Sequence, residues 1–408
     1  MPRMRTVTRG IVLIASTALA VSACTPPLPP DVLAAKAENQ ITCQTGNADV
    51  SVPEDFVGAM DAVGFSLSGV CPEQTITEAV DQTDAKLRLV DHTPTKDDVA
   101  AFTAEACPTS PVIVVPAFAY AVALSYDVIG LEGMVLTPQA IAGMLDGSVT
   151  SWEDPLIQDA NSDYDLTGLP DISVLSLEEP SGAVEAMTAW LSSEDPAAWP
   201  GGVGGTVSTG TTFPTQLELL DELLLTEGTV AVLPAFAAVT NGLPVASVPV
   251  QDLVISPDDT QLLKVGSGAT TITVDESGNI YASPAIGGVP VEGNFDIAAS
   301  KIVLAEGQPL IGWPIMGYAH LLVCDDPSDP MALSTAQYIL RLAGQGSLET
   351  FGVTPLPEPI RIQTFKPLKV TVNLDEADSQ SPAPGGSQAP ASESPASEAP
   401  VPESPAEF

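Results

Sequence analysis

The sequence predicts an α/β protein built as two lobes with a cleft between them. Three observations predict it. Short apolar runs of strand length recur between residues 38 and 373, helical spacings separate them, and the stretch they fill, roughly 335 residues, is more than one core of this kind supports. Strands alternating with helices imply a parallel or mixed sheet covered on both faces, and two such bodies leave a cleft. Apolar residues make up 45% of the chain and aromatics only 5%, so the cores are mainly aliphatic.

The elements follow in chain order. Residues 1–10 hold Arg3, Arg5 and Arg9 and no acid, and residues 11–21 (IVLIASTALAV) are a mostly apolar run too short to cross a bilayer. A basic start followed by such a run reads as a secretory signal over 1–23. It closes on Val21-Ser22-Ala23-Cys24, which looks like a bacterial lipobox, with Cys24 the residue that would carry the lipid. Residues 24–37, opening Thr25-Pro-Pro-Leu-Pro-Pro30, read as a stiff tether, because Pro-rich chain is extended. Buried strands are expected at Lys86-Leu-Arg-Leu-Val90, Pro111-Val-Ile-Val-Val115, Ile172-Ser-Val-Leu175, Thr229-Val-Ala-Val-Leu233 and His320-Leu-Leu-Val323. Helices are expected over 138–145, with Ile141, Met144 and Leu145 on one face; over 215–225, with Leu217, Leu220, Leu223 and Leu224; and over 331–342, with Leu333, Ile339, Leu340 and Leu342. Residues 271–283 read as a β-hairpin turning at Ser277-Gly278-Asn279. From 379 to 408, 20 of 30 positions are Pro, Ser or Ala with no apolar period, so the tail from 374 is expected to be disordered.

Charge removes several function classes. The chain has 13 basic and 52 acidic residues, a net −39, and without the three signal arginines ten bases face the same 52 acids. Nucleic acid and anionic membrane surfaces both require clustered Lys or Arg, so neither is an expected partner. Two histidines, His92 and His320, exclude a His-rich metal centre. No G-x-S-x-G elbow, P-loop or dinucleotide fingerprint is present, so neither an enzyme nor a cofactor is expected. Asp159, Asn161, Asp163 and Asp165 start like a calcium loop, but Tyr164 replaces its glycine and Pro170 its closing glutamate. Cys43, Cys71, Cys107 and Cys324 are an even number in an exported chain and read as two disulfides, with three pairings open.

Three blocks go further. They are Val122-Ala-Leu-Ser-Tyr-Asp-Val128, Met134-Val-Leu-Thr-Pro-Gln-Ala-Ile-Ala-Gly-Met-Leu-Asp-Gly147, and Val149-Thr-Ser-Trp-Glu-Asp-Pro-Leu-Ile157. Together they resemble the phosphate-binding proteins of bacterial ABC importers, with looser matches at Gly228-Thr-Val-Ala-Val-Leu233, Trp313-Pro-Ile315 and Gly352-Val-Thr-Pro-Leu-Pro357. The resemblance implies a type II periplasmic-binding-protein fold. Lobe 1 would come from 38–124 plus 312–373 and lobe 2 from 125–311, with crossovers near 121–128 and 311–317. It implies a small-molecule ligand, phosphate or another solute, and an ABC permease as partner, with the membrane reached through the lipid.

On the register implied by the resemblance, the first ligand loop falls at Cys43-Gln-Thr45-Gly46 and the second at Cys71-Pro-Glu73. The third falls at Asp91-His92-Thr93, and the Arg-x-Asp-Gly-Ser-Gly-Thr-Thr fingerprint on Leu177-Glu-Glu179-Pro-Ser181-Gly182-Ala-Val184. Thr45, His92, Thr93, Glu179, Ser181 and Gly182 are then the candidate ligand residues. His92 is either a protonatable donor in the cleft or a strand end facing solvent. The fingerprint arginine is Leu177, and none of Arg88, Arg341 and Arg361 falls where the family has one. The same register puts Cys43 and Cys71 at the carboxyl ends of neighbouring strands and implies the pairs Cys43–Cys71 and Cys107–Cys324. Two functions are expected. One is a lipid-anchored extracytoplasmic solute-binding protein of the phosphate-uptake type with altered ligand loops. The alternative is a scaffold of that fold that has left transport and serves surface interaction or sensing.

Overall fold

The apolar runs become the middle of an eight-stranded sheet in the computed structural model, which describes residues 30–268, 270–284, 300–301 and 312–371. The expected signal segment, Cys24, the start of the tether and the tail from 374 lie outside the described residues. The strands are β1 (Gly46–Val52), β2 (Gln74–Val80), β3 (Leu87–Val90), β4 (Val112–Tyr126), β5 (Ser173–Leu177), β6 (Thr211–Phe213), β7 (Thr229–Pro234), β8 (Val248–Val250), β9 (Leu253–Ile255), β10 (Thr271–Val274), β11 (Ile280–Ser283), β12 (Ser300–Lys301) and β13 (Met316–Cys324). The helices are α1 (Pro30–Glu38), α2 (Ala59–Ser68), α3 (Lys96–Ala106), α4 (Pro138–Asp146), α5 (Pro155–Gln158), α6 (Gly182–Glu194), α7 (Gln216–Leu225), α8 (Ala235–Thr240), α9 (Thr260–Gly266), α10 (Met331–Ile339), α11 (Leu342–Phe351) and α12 (Glu358–Thr364).

The sheet order is β2-β1-β3-β13-β4-β7-β5-β6. Each flank is parallel: β1 pairs with β2 and β3, and β5 pairs with β6 and β7. The long strands between them are antiparallel to their neighbours. β4 is what makes two lobes of one sheet. Up to Ala121 it pairs with β13, and from Val122 onward it pairs with β7. The return crossing is fixed beside it, where buried Trp313 donates Nε1–H to the Val122 carbonyl at 3.0 Å. β4 and β13 are buried almost throughout, as a strand covered on both faces requires.

Several helix expectations shift. α7 buries Leu219 and Leu223 but exposes Leu217 (62%) and Leu224 (43%), so its inward face is rotated from the expected one. The run Leu219-Leu220-Asp-Glu-Leu223-Leu224-Leu225 is apolar on too many sides to define one stripe. The helix expected over 331–342 ends at Ile339, and α11 starts anew at Leu342, which is exposed. The hairpin forms as expected, Thr271 opposite Ser283, with Gly278 taking a positive φ of 87° in the turn.

The last part of the expected tether is helix instead. α1 buries Ala37, and two guanidiniums hold it down: Arg341 donates to the carbonyls of Ala37 and Gln40, and Arg361 pairs with Glu38. Both arginines are buried, and a buried guanidinium needs such acceptors. Among the described residues no helix is long and apolar enough to cross a membrane.

The disulfides are Cys43–Cys71 and Cys107–Cys324. The first sits at the opposite end of the strands from the one expected. Cys43 precedes β1 and Cys71 precedes β2, so the bond ties their amino ends, away from the loops that follow them.

Candidate functional site

Parallel strands deliver their carboxyl ends to one edge, and ligands of open α/β sheets sit beyond that edge. Here β1 runs out into Pro53-Glu54-Asp55, β2 into Asp81, β3 into Asp91-His92, β5 into Glu179-Pro180-Ser181 and β6 into Pro214 and Gln216. These residues line one cavity of about 450 Å³. Its walls carry Glu54, Asp55, Asp81, Asp91, Glu105 and Glu179, against Arg88 and His92.

Helix starts at this edge offer backbone N–H groups, the usual seat of an anion. The chain fills them with its own carboxylates. At α6, Ser181 Oγ accepts from the N–H groups of Ala183 (3.1 Å) and Val184 (3.4 Å), and the Gly182 N–H donates to Asp91 Oδ2 at 2.7 Å. At α7, Thr215 caps the first turn and the Gln216 N–H donates to Glu54 Oε2 at 2.7 Å. At α2, Glu78 accepts from the N–H groups of Gly58 and Met60, at 2.6 and 2.9 Å. The contact at α6 needs its glycine: a Cβ on Gly182 would lie 2.1 Å from the Asp91 carbonyl oxygen and 2.6 Å from the Tyr120 hydroxyl.

Asp91 is also one end of an ionic chain. Its Oδ1 lies 2.9 Å from His92 Nδ1, and His92 Nε2 lies 3.3 Å from Asp98 Oδ2. Burial pushes the Asp91 carboxyl up, but His92 and the Gly182 N–H outweigh it and hold it below the usual carboxylate range. Burial pushes His92 down, but Asp91 and Asp98 outweigh it and hold the imidazolium well above its ordinary range. The neighbouring acids are driven the other way. Burial, then the charges of Asp91 and Glu54, push Asp55 up to about 8, and burial pushes Glu185 in the first turn of α6 up to about 7. The site therefore holds paired carboxylates beside others that resist ionisation, the pattern expected where negative charge is already in excess.

Three residues that line the cavity each carry a polar atom that is out of solvent contact and has no hydrogen-bond partner: Asp55 Oδ1, Arg88 Nε and Gln216 Nε2. Arg88 is otherwise engaged, its Nη2 donating to Glu105 Oε2 at 2.9 Å and to the Thr83 carbonyl at 2.7 Å. Among the described residues no group of three His, Cys, Asp or Glu side chains could hold a metal ion.

The expected ligand residues are only partly brought together. His92, Glu179 and Ser181 line the cavity, and Gly182 adjoins it through its bond to Asp91. Thr45 does not: it precedes β1, is exposed, and donates to Glu73 Oε2 at 3.1 Å. Thr93 is buried under the hairpin, its Oγ1 donating to the Ala282 carbonyl at 3.2 Å. His92 is bonded between two acids rather than left facing solvent. Arg88, which the family register left outside the site, lines it. The first two expected loops, at Cys43–Gly46 and Cys71–Glu73, lead into β1 and β2 rather than out of them; β1 (GNADVSV) and β2 (QTITEAV) alternate instead of running apolar, so neither stands out as a buried strand. The available signal was Pro53-Glu54-Asp55 directly after the alternating stretch.

No family model matches the chain. It is 25% identical over 242 residues to the phosphate-binding protein PstS2 of Mycobacterium bovis, covering 58% of this chain and 60% of that one. It is 24% identical over 275 residues to phosphate-binding protein PstS 3 of Mycobacterium tuberculosis, covering 66% and 69%. The chain resembles the PstS phosphate-binding proteins. It spans about three-fifths of the length of the first of these relatives. Solved structures agree on the fold. A high-affinity periplasmic phosphate-binding protein (PfluDING) bound with phosphate superposes with a TM-score of 0.55 at 14% identity, over 79% of this chain and 93% of that one. A human phosphate binding apolipoprotein gives 0.55 at 16%, over 78% and 93%. The fold is that of these solved structures, with β4 running between the two groups of strands and Trp313 bonded beside it.

Proposed function

We propose that this chain is an extracytoplasmic solute-binding protein of the ABC phosphate-uptake type, held to the membrane by a lipid on Cys24, whose cleft serves a solute other than phosphate and passes it to a permease. The observation that carries the reading is the Asp91 carboxylate on the Gly182 N–H. A phosphate dianion would have to displace a carboxylate paired with His92, and then sit among Glu54, Asp81 and Glu179. Uncompensated charge of that kind in a partly desolvated site is costly. Titration calorimetry with inorganic phosphate tests this: no heat is expected at millimolar phosphate, and micromolar or tighter binding would refute the reading. The anchor is tested by Cys24→Ser, which is expected to move the protein from the membrane to the soluble fraction.

One observation favours the second reading, a scaffold for surface interaction or sensing. Asp91 to Gly182 and Glu54 to Gln216 join segments of the two lobes through the chain's own groups, where a binding protein uses its solute.

A further inference from the structure

We infer that the cleft receives a small organic cation that also offers a hydrogen-bond acceptor, its ammonium held by the Asp55 carboxylate and its acceptor by the Gln216 side-chain amide. The inference rests on the cleft being the solute site and adds the chemistry of the solute.

The unpaired atoms set that chemistry. Gln216 lines the cavity and is only 6% exposed, its backbone N–H is held by Glu54, and its side-chain Nε2 is buried without an acceptor. Asp55 Oδ1 and Arg88 Nε, of two further residues that line the cavity, are likewise buried and unpaired. A buried donor or acceptor left unmade costs free energy, so the groups most in need of a ligand are one carboxylate oxygen and two N–H donors. A ligand with a donor-bearing cation at one end and hydroxyl or carbonyl oxygens at the other satisfies all three.

Charge selects its sign. Glu54, Asp81, Asp91 and Glu179 face the cavity, while Arg88 is spent on Glu105 and His92 on Asp91 and Asp98. Burial is the main cause of the rise of Asp55 to about 8, and the further push from Asp91 and Glu54 is the negative potential that a cation relieves. The absence of a three-ligand cluster among the described residues points away from a bare metal ion. A volume of about 450 Å³ is in the range of sites for small molecules.

The test is calorimetry on the mature chain with four probes: glucosamine, which has charge and acceptors; putrescine, charge alone; glucose, acceptors alone; and inorganic phosphate. Glucosamine is expected to bind most tightly, putrescine more than tenfold more weakly, and glucose and phosphate not at all at millimolar concentration. Asp55→Asn is expected to weaken glucosamine more than tenfold, and Gln216→Leu to weaken glucosamine while sparing putrescine, with folding of both variants checked by circular dichroism. Silence from both amines with the native chain overturns the inference, as does glucosamine binding that Asp55→Asn leaves unchanged. Tight phosphate binding overturns the underlying reading of the cleft, whereas silence from phosphate together with silence from the amines sinks this inference alone.

Discussion

At the scale of single residues, Asp91 decides the character of the cleft. It supplies an acceptor to the start of α6, a counter-ion to His92 and, through its carbonyl, a partner for the Tyr120 hydroxyl at 2.6 Å. Its neighbours His92 and Asp55 are both raised in the fold, so both lose stability as pH rises, each over its own window. His92 is raised in the fold above its ordinary 6.5, so its pairing stabilises fully below that value and the gain is lost as pH rises through the higher folded value. His92→Gln is therefore expected to cost about 1–3 kcal/mol at about pH 6 and less toward alkaline pH, read from urea midpoints. A flat penalty across pH would show that the imidazole is not charged there. Asp55 is raised from 3.8 to about 8, so folding takes up a proton between those values and stability falls as pH rises through that window. Asp55→Asn is expected to leave stability unchanged at about pH 4 and to raise it at about pH 9, the difference being visible in thermal melts. Ser181 and Gly182, expected as ligand residues, instead start α6, the Ser181 hydroxyl capping its first turn. The partner that α6 takes was not readable, because Asp91 stands 91 residues away and only the sheet brings it there.

At the scale of elements, the disulfides do different work. Cys43–Cys71 closes a separation of 28 residues between the amino ends of β1 and β2, while Cys107–Cys324 spans 217 and ties the end of α3 to the end of β13. On chain-entropy grounds the first is worth about 3–4 kcal/mol and the second about 5 kcal/mol, with the second also packed into the core. Changing each pair to serine should lower the guanidinium midpoint more for the second pair, and the reverse order would mean that packing or residual denatured structure outweighs loop length. The hairpin β10–β11, within the 125–311 stretch expected to build lobe 2, packs against the first half of β4 and against β13. Its Ala282 N–H donates to His320 Nε2 at 3.0 Å, its Asn279 Oδ1 accepts from the Val114 N–H at 2.9 Å, and its Ala282 carbonyl takes Thr93. Burial drives His320 down to about 3, keeping it a neutral acceptor there. The hairpin itself was legible, because turn residues between alternating strands are a local signal. The role it gives Thr93 was not, since a threonine after a strand reads equally as a ligand residue.

At the scale of the whole molecule, the question is whether the lobes open. Two carboxylates, Asp91 and Glu54, bond backbone N–H groups of α6 and α7 across the cleft, at 2.7 Å each. The paired change Asp91→Asn with Glu54→Gln weakens both charge-assisted bonds and is expected to enlarge the radius of gyration in small-angle scattering, while phosphate leaves the native profile unchanged. An unaltered profile in the double variant would show that the closed form is held by apolar packing at β4 and β13 instead.

The sequence by itself determined the alternation of strands and helices and the acidity of the molecule, because hydrophobic period, turn residues and charge are local properties of the chain. It also carried the likeness to phosphate-binding proteins, whose three main blocks run from β4 to α5. Only the tertiary structure decided which acids meet at the cleft. Glu54, Asp55, Asp91 and Gln216 come from the segments that follow three different strands, and their proximity depends on strand order and register, which no local pattern records.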